Sequence, residues 1–180
     1  MQNRPTDEEI HQAAEVIKKL PKGYLPFELF IAIAAKVTVP TMEVVPLRWN
    51  GEKIEVLMTK RPDDDPHWPG GWHLTGTVIR ANDAEGADFS SGIKRVLQDE
   101  LHGTITPLGE IRYAGMKFWD VKRGRELDQM FYFETNASDE DVKEGQFFDV
   151  EDLPDSTLAH HKIMIPEIVA AFRAEENLSK

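Results

Sequence analysis

The chain has 180 residues, with 21 Lys plus Arg against 32 Asp plus Glu and a formal net charge of −11. That length suits one domain with an extension and excludes two full catalytic domains, because domains typically run to about 100–150 residues. The charge argues against a nucleic-acid polymer or an anionic membrane as partner. The absence of cysteine excludes disulfides, zinc–thiolate sites, thiol nucleophiles and iron–sulfur clusters.

Hydrophobic residues make up 41% of the chain and charged residues 29%, a balance that supports a buried core. The opening segment MQNRPTDEEI is polar and lacks the apolar centre of a signal peptide. The longest apolar run, Leu29 to Ala35, is far short of the roughly 20 residues that span a bilayer. The expectation is a soluble, cytoplasmic protein.

Taken in order, Thr6 and Glu9 form a capping-box pattern. Ile10, Ala13, Ala14 and Ile17 follow at helical spacing, and Pro21 with Gly23 stops the helix. A second helix is predicted from about Pro26, with Phe27, Phe30, Ile31 and Ala34 on one face. These helices form a predicted extension over residues 1–41, ahead of a main domain over 42–180. The apolar stripes of the extension are compatible with a homodimer.

From Met42 the pattern turns to strands. MEVVPLRW and KIEVLMTK flank Asn50-Gly51, a hairpin signal. The loop RPDDDPHWPGG leads to a predicted strand WHLTGTVI, and a helix is expected from Phe89 to His102, stopped by Gly103. IRYAGMKF and QMFYFE read as strands joined by the charged loop DVKRGREL. QFFDV is a further strand, and a last helix is predicted near Pro166 with Ile165, Val169 and Phe172 inward. Strands with interleaved helices predict an α/β or α+β domain.

The stretch from Trp72 to Gly103 carries the chemistry. In an α-helix, position 96 lies over Asp99 and Glu100, and paired acids beside a backbone turn suit a hard divalent cation completed by water and phosphate oxygens. WHLTGT and RVLQDELHG resemble the signature of the Nudix, or MutT-like, hydrolases, GxxxxxE…REUxEExGU, where U is aliphatic. Arg95 matches its Arg, Leu97 its aliphatic position, and Asp99 and Glu100 its paired acids. The first Glu of that core is Val96 here, Gly103 arrives one residue late, and the loop between Gly76 and Arg95 is longer than the family's. LMTKRP upstream and EGQFFDVEDLP downstream extend the resemblance over roughly Met42 to Phe172.

The resemblance implies a Nudix-type α/β/α sandwich with a mixed sheet, carrying the N-terminal helical extension. It implies a hydrolase that cleaves the diphosphate linkage of a nucleoside diphosphate derivative with Mg²⁺, or with Mn²⁺ in its place. Asp99 and Glu100 are then the metal ligands, and Arg95, Glu100 and Glu144 the catalytic group. Trp72, His73 and Gly76 would contact a small nucleotide-type substrate. Two alternatives stand beside this reading. One is a catalytically inactive module that binds a nucleotide or a partner. The other is a GDP-sugar hydrolase attacking at the sugar carbon, a branch that also lacks the first Glu of the core.

Each candidate has a plainer reading. Asp99 and Glu100 also read as a solvated helix face, and Arg95 as a surface residue pairing with Asp99. Glu140 and Glu144 read as a polar turn, Glu85 and Asp88 as replacement ligands or a helix cap. Trp68, Trp72 and Phe118 read as base-stacking or core aromatics, and His160 and His161 as idle loop residues. Lys122, Arg123 and Arg125 read as a phosphate-steering island or a hairpin tip.

Overall fold

The computed structural model describes residues 4–83 and 88–178. Helix α1 (Asp7–Lys18) starts at the predicted box: the Thr6 amide donates to Glu9 Oε2 at 2.7 Å, and the Glu9 amide donates to Thr6 Oγ1 at 3.3 Å. None of its residues is buried. Helix α2 (Phe27–Ala34) follows where the apolar face predicted it, and buries Ala34.

Strand β1 (Thr38–Asn50) begins four residues ahead of Met42 and pairs antiparallel with β2 (Lys53–Lys60). The closing pair is Asn50 with Lys53, so the turn residues are Gly51 and Glu52, one place later than the Asn-Gly dipeptide suggested. Gly51 takes φ +65° and Glu52 a negative φ. A left-handed residue at the first turn position alone is the II′ pattern, which glycine permits.

WHLTGTVI does not run as one strand. It divides into β3 (Trp72–Leu74), paired with β2, and β4 (Gly76–Val78), paired with β1. Thr75 makes the crossing: its carbonyl accepts from the Val44 amide at 2.9 Å and its hydroxyl donates to the Val44 carbonyl at 2.7 Å. The charged segment DVKRGREL is mostly strand as well. Strands β5 (Arg112–Val121) and β6 (Gly124–Glu134) leave only Lys122 and Arg123 as the turn.

β1 lies parallel to β6 from Thr38 through Leu47, and the sheet runs β3-β2-β1-β6-β5, with β7 (Gln146–Asp149) on β2. Side chains alternate across it, as strand geometry requires. Val45, Leu47, Ile54 and Met58 pack under the last helix, α4 (Ala159–Leu178), with its Met164, Ile165, Ile168, Val169 and Phe172. That helix starts well before Pro166, which stands inside it. Met42, Val44, Leu57, Phe131 and Phe133 form the opposite core.

The helix covering that second face is α3 (Ser90–Arg95), and it continues as a π turn over Val96–Glu100 rather than as regular α-helix. It closes through His102 at φ +53° and Gly103 at φ +67°, with the Gly103 amide on the Leu97 carbonyl at 2.8 Å. The wide turn takes up an extra residue, which accounts for the late glycine. The architecture is helices on both faces of a mixed sheet, with the helical extension ahead. Among the described residues, no helix is long and apolar enough to cross a membrane.

Candidate functional site

A cavity of about 370 Å³ opens where β1, the end of β2, β4 and the π turn approach the β5–β6 turn and the loop before β7. Three acids line it, Glu43, Glu100 and Glu144, and so do three bases, Lys60, Arg61 and Arg123. Thr41, Thr59, Thr77, His73 and Gly76 complete most of the wall. Four sequence-predicted residues therefore meet here: His73, Gly76, Glu100 and Glu144. Arg95, Asp99 and Trp72 are not among the lining residues.

Among the three acids, Glu43 is the one that the sequence did not single out. It sits on β1 opposite Gly76 of β4 and is 8% exposed. Its Oε2 is buried with no hydrogen-bond partner. A Cβ built on Gly76 would stand 2.0 Å from that oxygen, so only glycine leaves room for the carboxyl. Burial first, and then the nearby Asp128 and Glu126 carboxyls, push the Glu43 pKa well above the usual carboxylate range against Arg61 and Arg123. Asp128, 1% exposed on β6 beside Thr41, is pushed up to about 7 by burial and by Glu126.

His73, His160 and His161 are favoured in the neutral form by burial. His161, 3% exposed, accepts the Leu74 amide on Nδ1 at 2.8 Å, which places its proton on Nε2, 3.8 Å from Glu43 Oε1. Burial, then the His160 and His73 rings and the Arg61 and Arg123 guanidinium groups, hold its pKa well below the usual value, so the approach is not an ion pair. His73 donates from Nδ1 to the Leu74 carbonyl at 2.7 Å, leaving Nε2 to accept from the Thr59 hydroxyl at 3.0 Å. Its pKa falls to about 4 through burial and Arg61, and His160 falls equally through burial and Arg123. His160 and His161 lie in the first turn of α4 and pack edge to face, so the idle-loop expectation is corrected.

The motif helix differs from its expected geometry. Val96 has no exposed surface and packs in the second core with Leu57, Leu101 and Phe133, so it does not converge with Asp99 and Glu100. Asp99 is exposed outside the cavity, while Glu100 is half-buried in its wall, where burial raises its pKa. Arg95 does not orient these carboxylates. Its Nε and Nη2 bind the buried Asp83 at 3.0 and 2.5 Å, Nη1 donates to Thr77 Oγ1 at 2.8 Å, and Nη2 also reaches the Val78 carbonyl at 2.9 Å. It ties β4 to the following loop.

Trp72 packs edge-on against Phe148, with ring centroids 4.7 Å apart, as a core aromatic. Phe118 stands 69% exposed on the edge strand β5. Arg123 lies over Trp68 and pairs with Glu126, so one member of the basic island belongs to the cavity. Glu144 sits at the rim, 3.7 Å from His102 Nε2. Asp88 caps the turn before α3 through the Ser90 amide at 2.9 Å, and Glu85 lies outside the described residues.

Among the described residues, no three His, Asp or Glu side chains converge as an all-protein metal cage requires. Mg²⁺ needs fewer protein ligands when substrate phosphates complete its shell. Glu100 in the wall and Glu144 at the rim are the oxygen donors that fit a cation arriving with phosphates.

The same fold occurs in several solved structures. The NUDIX domain of Shewanella oneidensis NrtR complexed with ADP ribose is 17% identical, with a TM-score of 0.56 over 86% of this chain and 99% of that one. Shewanella oneidensis NrtR complexed with a 27mer DNA is 16% identical, with a TM-score of 0.56 over 73% and 61%. A C. elegans Ap4A hydrolase in a binary complex is 15% identical, with a TM-score of 0.52 over 76% and 99%. The chain has the Nudix fold. No protein-family model and no curated protein sequence matches it.

Proposed function

We propose that the cavity binds a nucleoside diphosphate derivative and supports Mg²⁺-dependent hydrolysis of its diphosphate linkage. The observation that carries this reading is the opposition of Glu43, Glu100 and Glu144 to Lys60, Arg61 and Arg123 around one polar cavity in a Nudix fold. The three bases supply the positive field that two phosphates require. Bound Mg²⁺ would neutralise the diphosphate and acidify a water. Glu100 would hold the cation, and Glu144, open to solvent at the rim, would take the proton of the attacking water. Asp99 remains a second ligand only if the π turn reorders on binding. Arg95 acts as a positioning residue through Thr77 and Val78.

The ADP-ribose seen in the NrtR domain supports a small nucleotide ligand in this fold. The net charge of −11 weighs against a polymer, although NrtR itself is seen with DNA. Burial of Val96 favours a second reading, a module that binds such a ligand without turnover.

The test is a turnover screen with nucleoside triphosphates, ADP-ribose, dinucleoside polyphosphates and GDP-sugars, each with Mg²⁺, Mn²⁺ or EDTA. The hydrolase reading expects EDTA-sensitive turnover that Glu100→Gln and Glu144→Gln each reduce by about 10²–10⁴-fold. Oxygen-18 from water then appears on phosphate for attack at phosphorus, and on the sugar for attack at carbon. Saturable binding with no turnover establishes the module instead.

A further inference from the structure

The inner wall of the cavity holds polar atoms that the protein leaves unsatisfied. Glu43 Oε2 and Arg61 Nε are buried and without hydrogen-bond partners, Thr41 Oγ1 is buried beside Asp128, and all three residues line the same space. Glu43 is 8% exposed and Thr41 3%, so both are reached only from the cavity. Buried polar groups are nearly always paired, and those that are not ask for a missing partner. Two observations show that the arrangement is built. Gly76 leaves the space that the Glu43 carboxyl occupies, and His161, fixed by the Leu74 amide, faces the other carboxyl oxygen.

This wall presents an acceptor-capable carboxyl, a pure donor and a hydroxyl that does both. A phosphate offers only acceptors, which suits Arg61 and the protonated oxygen of Glu43 but leaves the carboxyl's own acceptor oxygen without a donor. An ammonium offers only donors and would meet the Arg61 and Arg123 guanidinium charges. A sugar hydroxyl both donates and accepts, and adjacent hydroxyls present both functions at neighbouring points.

We propose that Glu43, with Thr41 and Arg61, reads a polyhydroxylated group of the ligand, the sugar carried beyond the phosphates. This rests on the nucleoside diphosphate reading above and specifies its substrate class. Glu43 is then the specificity-determining residue of the cavity. A carboxyl that burial and its neighbours favour in protonated form can donate to one hydroxyl oxygen while accepting from the next.

The experiment is calorimetric titration of the full chain in EDTA with ADP-ribose against ADP, and with GDP-mannose against GDP. The wild type should bind the sugar-bearing member of at least one pair on the order of tenfold more tightly. Glu43→Met, similar in length but without hydrogen-bonding groups, should erase that preference, bringing the two members of the pair within about twofold of each other. Glu43→Gln should retain much of it, and Gly76→Ala, which displaces the carboxyl, should erase it as Glu43→Met does. Thermal melting of each variant verifies folding, and Gly76→Ala provides the answer if Glu43→Met does not fold. Diphosphate binding without a sugar preference in either pair, or a preference that survives Glu43→Met, overturns the subsite and leaves the wider reading standing. Failure of all four probes to bind the wild type in EDTA and again with Mg²⁺ restored overturns both.

Discussion

At the scale of single residues, Val96 decides how the motif helix is read. A carboxylate at this position would tighten a metal site if the side chain faced Asp99 and Glu100. It faces Leu57, Leu101 and Phe133 instead. Val96→Glu is therefore expected to lower stability by roughly 3–5 kcal/mol, the cost of an uncompensated buried charge, with no gain in Mg²⁺ affinity. Thermal melting beside a Mg²⁺ titration of both proteins checks this, and tighter Mg²⁺ binding at unchanged melting would defeat it. A second prediction concerns Asp128, faced by Glu43, Glu126, Arg123 and Thr41. Its folded pKa of about 7 lies above its unfolded value, so its contribution is fully present at acid pH and is lost as pH rises towards and through 7. Asp128→Asn should gain stability on the wild type between about pH 4 and pH 8, by a few kcal/mol. Denaturant melts at the two pH values measure it, and an equal offset at both would refute the titration. The motif pointed to Glu100, His73, Gly76 and Glu144, and all four line one cavity. Glu43 and Asp128 were illegible because a charged residue in an alternating strand reads as solvent-facing. Only the helices on both faces of the sheet reveal that this strand has no solvent face.

At the scale of elements, local chemistry set the ends well and the middles less well. The Thr6–Glu9 box, the start of α2 and the inward stripe of α4 follow from capping and periodicity. The switch at Thr75 does not, because a strand that changes neighbours keeps the pattern of a continuous one. Nor does α4 begin near Pro166, where the sequence places its start: burial of Met164, Ile165 and Ile168 carries the helix through it. The π turn leaves no mark on a pattern of period 3.6 except the displaced glycine. That glycine yields a clean expectation. Gly103 has φ +67° and open space around its Cα, so Gly103→Ala tests backbone strain alone. It should cost about 1 kcal/mol without altering ligand affinity. A melt showing no loss would mean that the helix end relaxes to another conformation.

At the scale of the whole molecule, the extension and the cavity are connected through one turn. Helix α1 buries none of its residues, and Ile10, Val16 and Ile17 are 51%, 58% and 42% exposed. Helix α2 is different. Ala34 is buried, and its carbonyl lies so close to Gly124 that a Cβ there would stand 2.4 Å from it. The Arg123 guanidinium lies over Phe30, its Cζ 5.9 Å from the ring centroid, and Arg123 lines the cavity. Deleting residues 1–19 should therefore shift the melting midpoint by no more than about 2 °C. Deleting residues 1–36 uncovers the Gly124 turn and releases one side of Arg123. That longer truncation should melt about 5 °C lower or more, bind more of a hydrophobic dye, and lose ligand affinity together with stability. Sedimentation of both truncations reports whether a dimer depends on either helix. A 1–36 deletion that keeps the stability, affinity and assembly state of the parent would show that α2 supports neither the fold nor the site. Loss of affinity at full stability would place the contribution of α2 in Arg123 alone, because the rest of the cavity wall is carried by the sheet and the π turn.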